Sequence, residues 1–384
     1  MKRGILLVFI FCQIVILTGC WDRTEINDLA FVMATGIDKG EKNKYRFSVQ
    51  IPLPSSMGGS GSSGGGGGTS GEGPFVVLQG TGGNVRQGME DIQTRLSRKL
   101  YFAHRRVTIV GEDLAREGIT PAMNAILIQP QSRVSTFVLI AKGDAVKLLT
   151  AQPRMEQFSG EAIREMAKSS IGQTVKDVLL DSNRPGKDTI IPVIEPTGTI
   201  EKEKDGKEIL MSNFAVFKGD KLRFITSRQE AIGIMWLLEQ MTKKTLTFSV
   251  SKDQEMTVQI IDNHLKPNMK VVNGNPAFSL RLRVTGILLE NEPNLRIEDP
   301  DTYHLIIRKM ENEIKSQVNL VLEHAHSVGA DIFGFGWYLY KHHHKAWQNN
   351  WKDGWETQLP ELKVDLSVDA DIQRTTNSGL IEKD

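Results

Sequence analysis

The chain has 384 residues, of which 40% are apolar, and a formal net charge of +1. That length predicts two or three domains, and the near balance of charge gives no indication of a nucleic-acid partner. Only two cysteines occur, Cys12 and Cys20, and Cys12 lies in the predicted leader, so the mature chain has neither an intrachain disulfide nor a thiolate metal site.

The first residues have the layout of an export signal. Basic residues precede an apolar stretch from Ile5 to Leu17, which is shorter than the roughly 20 residues that a spanning helix needs. The stretch ends in Leu17-Thr18-Gly19-Cys20, a lipobox pattern. We expect residues 1–19 to be a cleaved signal peptide and Cys20 to carry S-diacylglycerol, with or without an N-acyl chain. The lipid would hold the protein on the extracytoplasmic face of a bacterial membrane.

The next part of the chain alternates between strand and helix patterns. Period-2 alternation and short apolar runs predict strands at 29–37, 45–51, 75–78, 107–110 and 134–141. Asn84 is a predicted helix cap, followed by apolar residues at helical spacing: Val85, Met89, Ile92, Leu96 and Leu100. Two shorter helices are predicted at Thr120-Pro121 and over 144–150. Residues 55–73 are almost entirely Gly and Ser, which is typical of a flexible loop.

A stretch rich in Pro, Gly and charge predicts a domain boundary near residues 196–208, with 189–194 as an edge strand before it. The predicted domains are therefore 20–200 and 205–384. The second begins with a hairpin over 214–226 and a capping box, Ser227 to Glu230, which opens a helix. It continues with strands at hairpin spacing, a helix from about Thr302 to Ser327 and a last strand over 362–368. The fold class is α+β, multidomain, with largely antiparallel sheets and a long C-terminal helix.

Three groups of residues are candidates for chemistry. Gly80-Thr81-Gly82-Gly83 lies between a strand and a helix but lacks the Lys-Ser/Thr of a phosphate loop, which favours a tight turn. His342-His343-His344 cannot all bind one metal ion from regular structure, which favours a solvated turn. Glu161 and Glu165 resemble an exposed pair on a helix surface. We therefore expect no enzymatic activity, no metal and no cofactor.

Trp347, Trp351 and Trp355 recur every four residues, which places them on one face of a helix. Such a stripe fills a core or forms a contact with a partner subunit or a membrane surface. Asp353-Gly354 would interrupt the helix, so the pattern alone leaves both alternatives open.

Several blocks resemble one protein family. They are Cys20-Trp21-Asp22-Arg23-Thr24-Glu25 and its continuation to Ala30, Thr35-Gly36-Ile37-Asp38-Lys39, the strand end Val49-Gln50-Ile51, His104-Arg105-Arg106-Val107 running on to Ile119, and Asp331-Ile332-Phe333-Gly334-Phe335-Gly336. In this order they resemble the Ger(x)C lipoproteins, the C subunits of GerA-type nutrient germinant receptors of spore-forming Bacillota. The Gly/Ser tract departs from the family pattern and is interpreted as an insertion in a loop.

The resemblance implies a mixed α/β lipoprotein on the outer surface of the spore inner membrane. It would assemble with membrane-embedded A and B subunits and contact membrane lipid through Cys20, while nutrient binding is associated chiefly with the B subunit. Direct small-molecule binding by this chain is not expected, and only Cys20 transfers as a defined site.

Two other functions of lipid-anchored proteins fit the sequence less well. A solute-binding lipoprotein of an importer has two α/β lobes around a cleft, whereas the second half of this chain reads as successive strands. A lipid-anchored envelope hydrolase needs a catalytic nucleophile or a set of metal ligands, and the sequence shows no pattern for either.

Overall fold

The computed structural model describes Gly4 and residues 25–41, 44–53, 74–129, 131–198 and 208–373. Cys20, most of the predicted leader and the Gly/Ser tract 55–73 lie outside these residues. The strands of the described part are β1 Leu29–Phe31, β2 Ala34–Lys39, β3 Tyr45–Pro52, β4 Phe75–Gly82, β5 Lys99–Tyr101, β6 Val107–Gly111, β7 Phe137–Ala141, β8 Ile190–Thr197, β9 Glu208–Lys218, β10 Lys221–Ile225, β11 Thr245–Ser251, β12 Gln254–Val272, β13 Asn275–Asn291 and β14 Lys363–Gln373.

Helices alternate with these strands, which confirms the predicted α+β class. In chain order they are α1 Val85–Gln93, α2 Glu112–Glu117, α3 Thr120–Ile128, α4 Ala145–Leu149, α5 Ser159–Ser169, α6 Val175–Ser182, α7 Arg228–Leu237, α8 Pro300–Ser327, α9 Phe335–His342, α10 His344–Ala346 and α11 Trp355–Gln358. A π-helical turn, Trp347–Trp351, follows α10, and short 3₁₀ turns occur at Ile26–Asp28 and Leu359–Glu361.

The larger sheet has eight strands in the order β10-β9-β8-β7-β6-β2-β3-β4. Its outer pairs are antiparallel, among them the predicted hairpin of β9 and β10, whereas β2, β6, β7 and β8 run parallel at its centre. Adjacent residues of β7 point to opposite faces: Val138 and Ile140 join one hydrophobic cluster, and Leu139 and Ala141 join another. Helices α1, α2, α3 and α6 cover the first face, and α4 and α5 cover the second.

The first helix is shorter than the pattern predicts. The Asn84 side chain caps α1 by accepting from Gln87 N–H at 2.9 Å, as predicted. The helix ends at Gln93, however, and Leu100 lies in β5, where its amide donates to the Gln93 side chain. Leu100 is buried because β5 pairs with β1, and not because it lies on the apolar face of a helix.

The strand predicted at 189–194 is not an edge strand. β8 lies between β7 and β9, and the edges of this sheet are β4 and β10. Its prolines, Pro192 and Pro196, are tolerated because β8 pairs with β7 at only two positions, Val193 and Ile194.

The larger sheet also extends across the predicted domain boundary. β9 and β10, the hairpin assigned by sequence to the second domain, are its last two strands. Residues of these strands, such as Phe214 and Phe224, belong to the same hydrophobic cluster as the C-terminal helices. One hydrophobic cluster therefore contains residues from both halves of the chain.

The C-terminal sheet has the order β11-β12-β13-β14, with two antiparallel pairs and β14 added in parallel. Asn273 and Gly274, both at positive φ, join the long strands β12 and β13 as a hairpin turn requires. Helix α8 covers this sheet, capped by Asp299 with Pro300 at its start. Its row of buried side chains begins at Ile306, and the neighbouring Leu305 is exposed. Nowhere in the described chain is a helix both long and apolar enough to cross a bilayer.

Candidate functional site

Cys20, the predicted lipid site, lies outside the described residues, which resume at Glu25. One 3₁₀ turn leads into β1, which pairs in parallel with β5. Val32 N–H donates to the Tyr101 carbonyl at 2.9 Å, and Met33 N–H donates to that of Gln50 at 3.0 Å. A lipid on Cys20 would be attached only nine residues before the first strand of the folded body.

The polar candidates from the sequence do not form a reaction centre. The three histidines His342 to His344 are exposed where α9 ends and α10 begins. Glu161 and Glu165 both pair with Arg164, so each has a local partner. Among the described residues, no group of three or more His, Cys, Asp or Glu could hold a metal ion.

The glycines at 80–83 were predicted to form a tight turn, but Gly80 and Gly82 lie within β4. They let α1 pack closely on this strand, because a Cβ at Gly80 would lie 2.2 Å from the Gly88 carbonyl oxygen. Asn84 caps the α1 N-terminus from within the chain.

The Asp331 carboxylate accepts four hydrogen bonds from its surroundings. It is 1% exposed, in the loop between α8 and α9. Its Oδ1 accepts from Gly334 N–H at 2.7 Å and Phe335 N–H at 2.9 Å. Its Oδ2 accepts from Gly336 N–H at 2.8 Å and Trp355 Nε1 at 3.0 Å. Burial raises the pKa of Asp331 to about 6, while these donors act in the opposite direction. The carboxylate therefore holds the Asp-Ile-Phe-Gly-Phe-Gly block in one conformation.

This block is where the two halves of the chain meet. Gly336 lies against Gly186, in the loop before β8, so closely that a Cβ on Gly336 would lie 2.7 Å from the Gly186 Cα. Trp337 N–H donates to the Gly186 carbonyl at 3.1 Å. Asp188 accepts from Asp331 N–H at 2.8 Å and from Gly219 N–H at 2.8 Å. We call these two loops, residues 184–189 and 329–337, the sheet junction.

The three tryptophans belong to the core at this junction. Gly354, at φ +82°, interrupts the helical stretch as anticipated, yet Trp347, Trp351 and Trp355 are all buried. Trp347 and Trp355 meet edge to face with ring centroids 5.3 Å apart, and Trp351 Nε1 donates to the Gly274 carbonyl at 3.1 Å. Of the two alternatives left open by the sequence, the structure shows the core.

A second set of contacts joins α7 and α8 beside the junction. The predicted capping box is present: Ser227 N–H donates to Glu230 at 2.6 Å, and Glu230 N–H donates to Ser227 Oγ at 3.3 Å. Glu230 also contacts His324 Nδ1 at 2.6 Å, and the His324 ring stacks on Phe224 at 3.6 Å. His326, two residues on, is buried against Phe335, and burial lowers its pKa to about 4.

Sequence reasoning missed the role of Asp331, although a signal was available. An aspartate followed after three to five residues by Gly334, Phe335 and Gly336 is typical of a side chain that binds successive loop amides. No local sequence pattern indicates that Gly186 and Asp188 contact this block, because Gly186 and Gly336 are 150 positions apart in the chain.

Comparison with known families explains why these blocks occur in this order. The family model described as "Spore germination protein N-terminal domain" matches residues 22–196, and "Spore germination B3/ GerAC like, C-terminal" matches residues 212–376. The chain belongs to the GerAC family of spore germination proteins. The resemblance inferred from the motifs is confirmed, and the chain has a role in spore germination.

GerAC relatives match along nearly the whole chain. YfkR of Bacillus subtilis (strain 168) is 32% identical over 324 residues, which cover 84% of this chain and 84% of that protein. Spore germination protein KC of the same organism is 26% identical, covering 97% and 96% of the two chains. The crystal structure of the GerBC protein has the same fold, with a TM-score of 0.54 and 18% identity over 90% of this chain and 98% of the other.

Proposed function

We propose that the chain is the lipid-anchored, non-catalytic C subunit of a nutrient germinant receptor. It would assemble with membrane-embedded A and B subunits on the outer surface of the spore inner membrane. The observation that carries this proposal is the position of the two family matches. The first starts at residue 22, two residues after the lipobox cysteine Cys20, and the second ends at residue 376.

The tether supports assembly for a physical reason. A diacylglycerol on Cys20 confines the folded body to the membrane plane, and confinement raises the effective concentration of partners embedded in the same bilayer. Weak contacts between this chain and the A and B subunits can then suffice. The short segment between Cys20 and β1 keeps the body close to the bilayer surface.

The environments of the buried carboxylates support a non-catalytic role. A carboxyl group with a raised pKa is a common sign of catalysis, and burial raises the pKa of Asp38, Asp188 and Asp331. Each of the three, however, accepts backbone N–H groups of its own fold, as Asp38 does from Ala145 at 2.6 Å. These groups organise loops and helix starts.

Two cysteine variants test the anchor. Cys20→Ala should lose the lipid and leave the membrane fraction of spores, and mass spectrometry of native material should show a diacylated Cys20. Cys12→Ala is the matched control, because that cysteine departs with the signal peptide and its loss should change neither lipidation nor fractionation. An unmodified Cys20 in native protein would contradict the anchor.

Affinity purification from detergent-solubilised spores tests the assembly. The wild-type chain should carry two multi-spanning subunits with it, and the Cys20→Ala chain should carry less of both. Recovery of the wild-type chain without any membrane subunit would refute the receptor proposal. Calorimetry with amino acids and sugars checks the solute-binding alternative, for which tight binding by this chain alone is required.

A further inference from the structure

A basic recess lies on the N-terminal part of the molecule, away from the sheet junction. Its lining comes from the segment before β6, from the loop before β7 and from α5, and its volume is about 170 Å³. At about 30 Å³ per water molecule, it has room for a tetrahedral oxyanion or several waters. The charged residues that line it within the described chain are all cationic: Arg105, Arg106, Arg133, Arg164 and Lys168.

Part of this charge is balanced by neighbours. Arg164 pairs with Glu161 and Glu165, and Lys168 pairs with Glu165 at 3.0 Å. Within the described residues, the ion pairs of this region include neither Arg105 nor Arg106 nor Arg133. Three arginines therefore line one recess with no carboxylate partner in the part of the chain that the structure describes.

Arg105 is the most unusual of the three. It is 3% exposed, and among the described residues only its Nη2 has an acceptor, Ser132 Oγ at 2.8 Å. Its Nε and Nη1, and the Nε of neighbouring Arg106, are buried without a hydrogen-bond partner within the described residues. The Arg105 Cζ also lies 5.8 Å from the centroid of the Phe102 ring, a contact that gives these N–H donors no oxygen acceptor. Burial lowers the pKa of Arg105 to about 10, which still leaves it charged at neutral pH.

A buried cation with unpaired donors is unfavourable unless a counter-charge accepts its hydrogen bonds. Arginine presents its N–H groups in a planar fork that matches the oxygens of phosphate, and several arginines around one recess suit a multiply charged anion. We propose that this recess binds a phosphate group, with Arg105 as the buried donor and Arg106 and Arg133 closing over the anion.

Two sources could supply this phosphate: a phospholipid headgroup or a free phosphate compound. The recess adjoins the start of the chain, because Arg106 N–H donates to the Met33 carbonyl at 2.7 Å. Met33 lies thirteen residues after Cys20, a length of chain that spans at most about 45 Å. The headgroup version rests on the proposed lipid anchor, since only then does this end of the molecule lie near a bilayer.

The test uses the mature chain, residues 20–384, with Cys20→Ser, so that no lipid on the protein contributes. Inorganic phosphate should raise its thermal unfolding midpoint above that in chloride at equal ionic strength, because a ligand of the folded state stabilises it. In the same background, Arg106→Gln with Arg133→Gln should weaken phosphate binding at least about tenfold by calorimetry. Arg281→Gln with Arg283→Gln, two exposed arginines of β13, is the control with equal loss of charge and should bind as the parent does.

The single variant Arg133→Gln keeps the test valid if the double variant fails to fold, because Arg133 is exposed and its replacement should leave the fold intact. This variant should bind phosphate measurably more weakly than the parent.

Phosphatidylcholine vesicles with and without phosphatidic acid then distinguish the two sources of the phosphate. Recess-dependent binding to phosphatidic acid assigns the site to a headgroup, and phosphate stabilisation without vesicle binding assigns it to a free phosphate. Equal phosphate affinity in the parent, the double variant and the control, or none in any, would overturn the proposal. An unlipidated Cys20 in native protein would refute the anchor and leave this result standing.

Discussion

Replacing Gly336 by alanine tests whether the sheet junction is as tight as its geometry indicates. A Cβ at this position would lie 2.7 Å from the Gly186 Cα, 2.8 Å from Trp347 Cη2 and 2.8 Å from Trp355 Nε1. One of these atoms is backbone and the other two belong to buried rings, so none can move away easily.

Two effects of opposite sign decide the outcome. Gly336 lies in the first turn of α9, where alanine is favoured over glycine by at most about 1 kcal/mol. Overpacking a close contact costs about 1–3 kcal/mol, and three simultaneous contacts below 3.0 Å place this site near the upper value. We therefore expect Gly336→Ala to lower the free energy of unfolding by about 2 kcal/mol.

Urea unfolding followed by tryptophan fluorescence measures this change, because Trp347 and Trp355 lie at the contact. Gly83→Ala is the matched control: its Cβ would meet nothing closer than Gln87 Oε1 at 3.4 Å, so the change should stay within about 0.5 kcal/mol. Gly186→Ala should cost about 1–2 kcal/mol more than Gly336→Ala because its φ is +65°. A Gly336→Ala chain as stable as the wild type would refute the close contact between the two loops.

Three further predictions concern single side chains. Asp331→Asn turns an amide NH₂ toward two N–H donors, those of Gly336 and Trp355. It should lower the free energy of unfolding, measured with urea at neutral pH, by about 2 kcal/mol or more. An unchanged urea midpoint would contradict the role of this carboxylate. His326 has a pKa of about 4 when folded against 6.5 otherwise, so the stability it contributes is complete above pH 6.5 and is lost as pH falls toward 4, by up to about 3 kcal/mol. His326→Leu should flatten that part of the pH profile of urea midpoints, and a profile as steep as that of the wild type would argue against it. Asn84→Ala removes the α1 cap and should lower the thermal midpoint by the equivalent of about 1 kcal/mol, whereas no shift would mean that the cap is dispensable.

Local signals were sufficient where a few neighbouring residues decide the structure. The cap at Asn84, the capping box of Ser227 and Glu230, and the amphipathic pattern of α8 all act within one or two helical turns. The ordered motifs from Cys20 to Gly336 were sufficient for the family, because their order along the chain does not depend on how the chain folds.

Local signals failed where burial comes from a distant partner. Leu100 continues a helical pattern by its spacing, but pairing between β5 and β1 buries it in a strand. The proline-containing strand β8 reads as an edge, yet the hairpin of β9 and β10 adds two strands beyond it. Periodicity reports which face of an element is apolar and not which element covers that face.

The sequence by itself determined the family, the α+β class, the helix caps and the expectation of a lipid at Cys20. Only the tertiary structure placed Gly186 against Gly336, buried the three tryptophans, and brought Arg105 of one segment beside Arg164 of another. Capping and amphipathicity are interactions between near neighbours, whereas these contacts depend on strand order and packing between residues many positions apart, which no local pattern encodes.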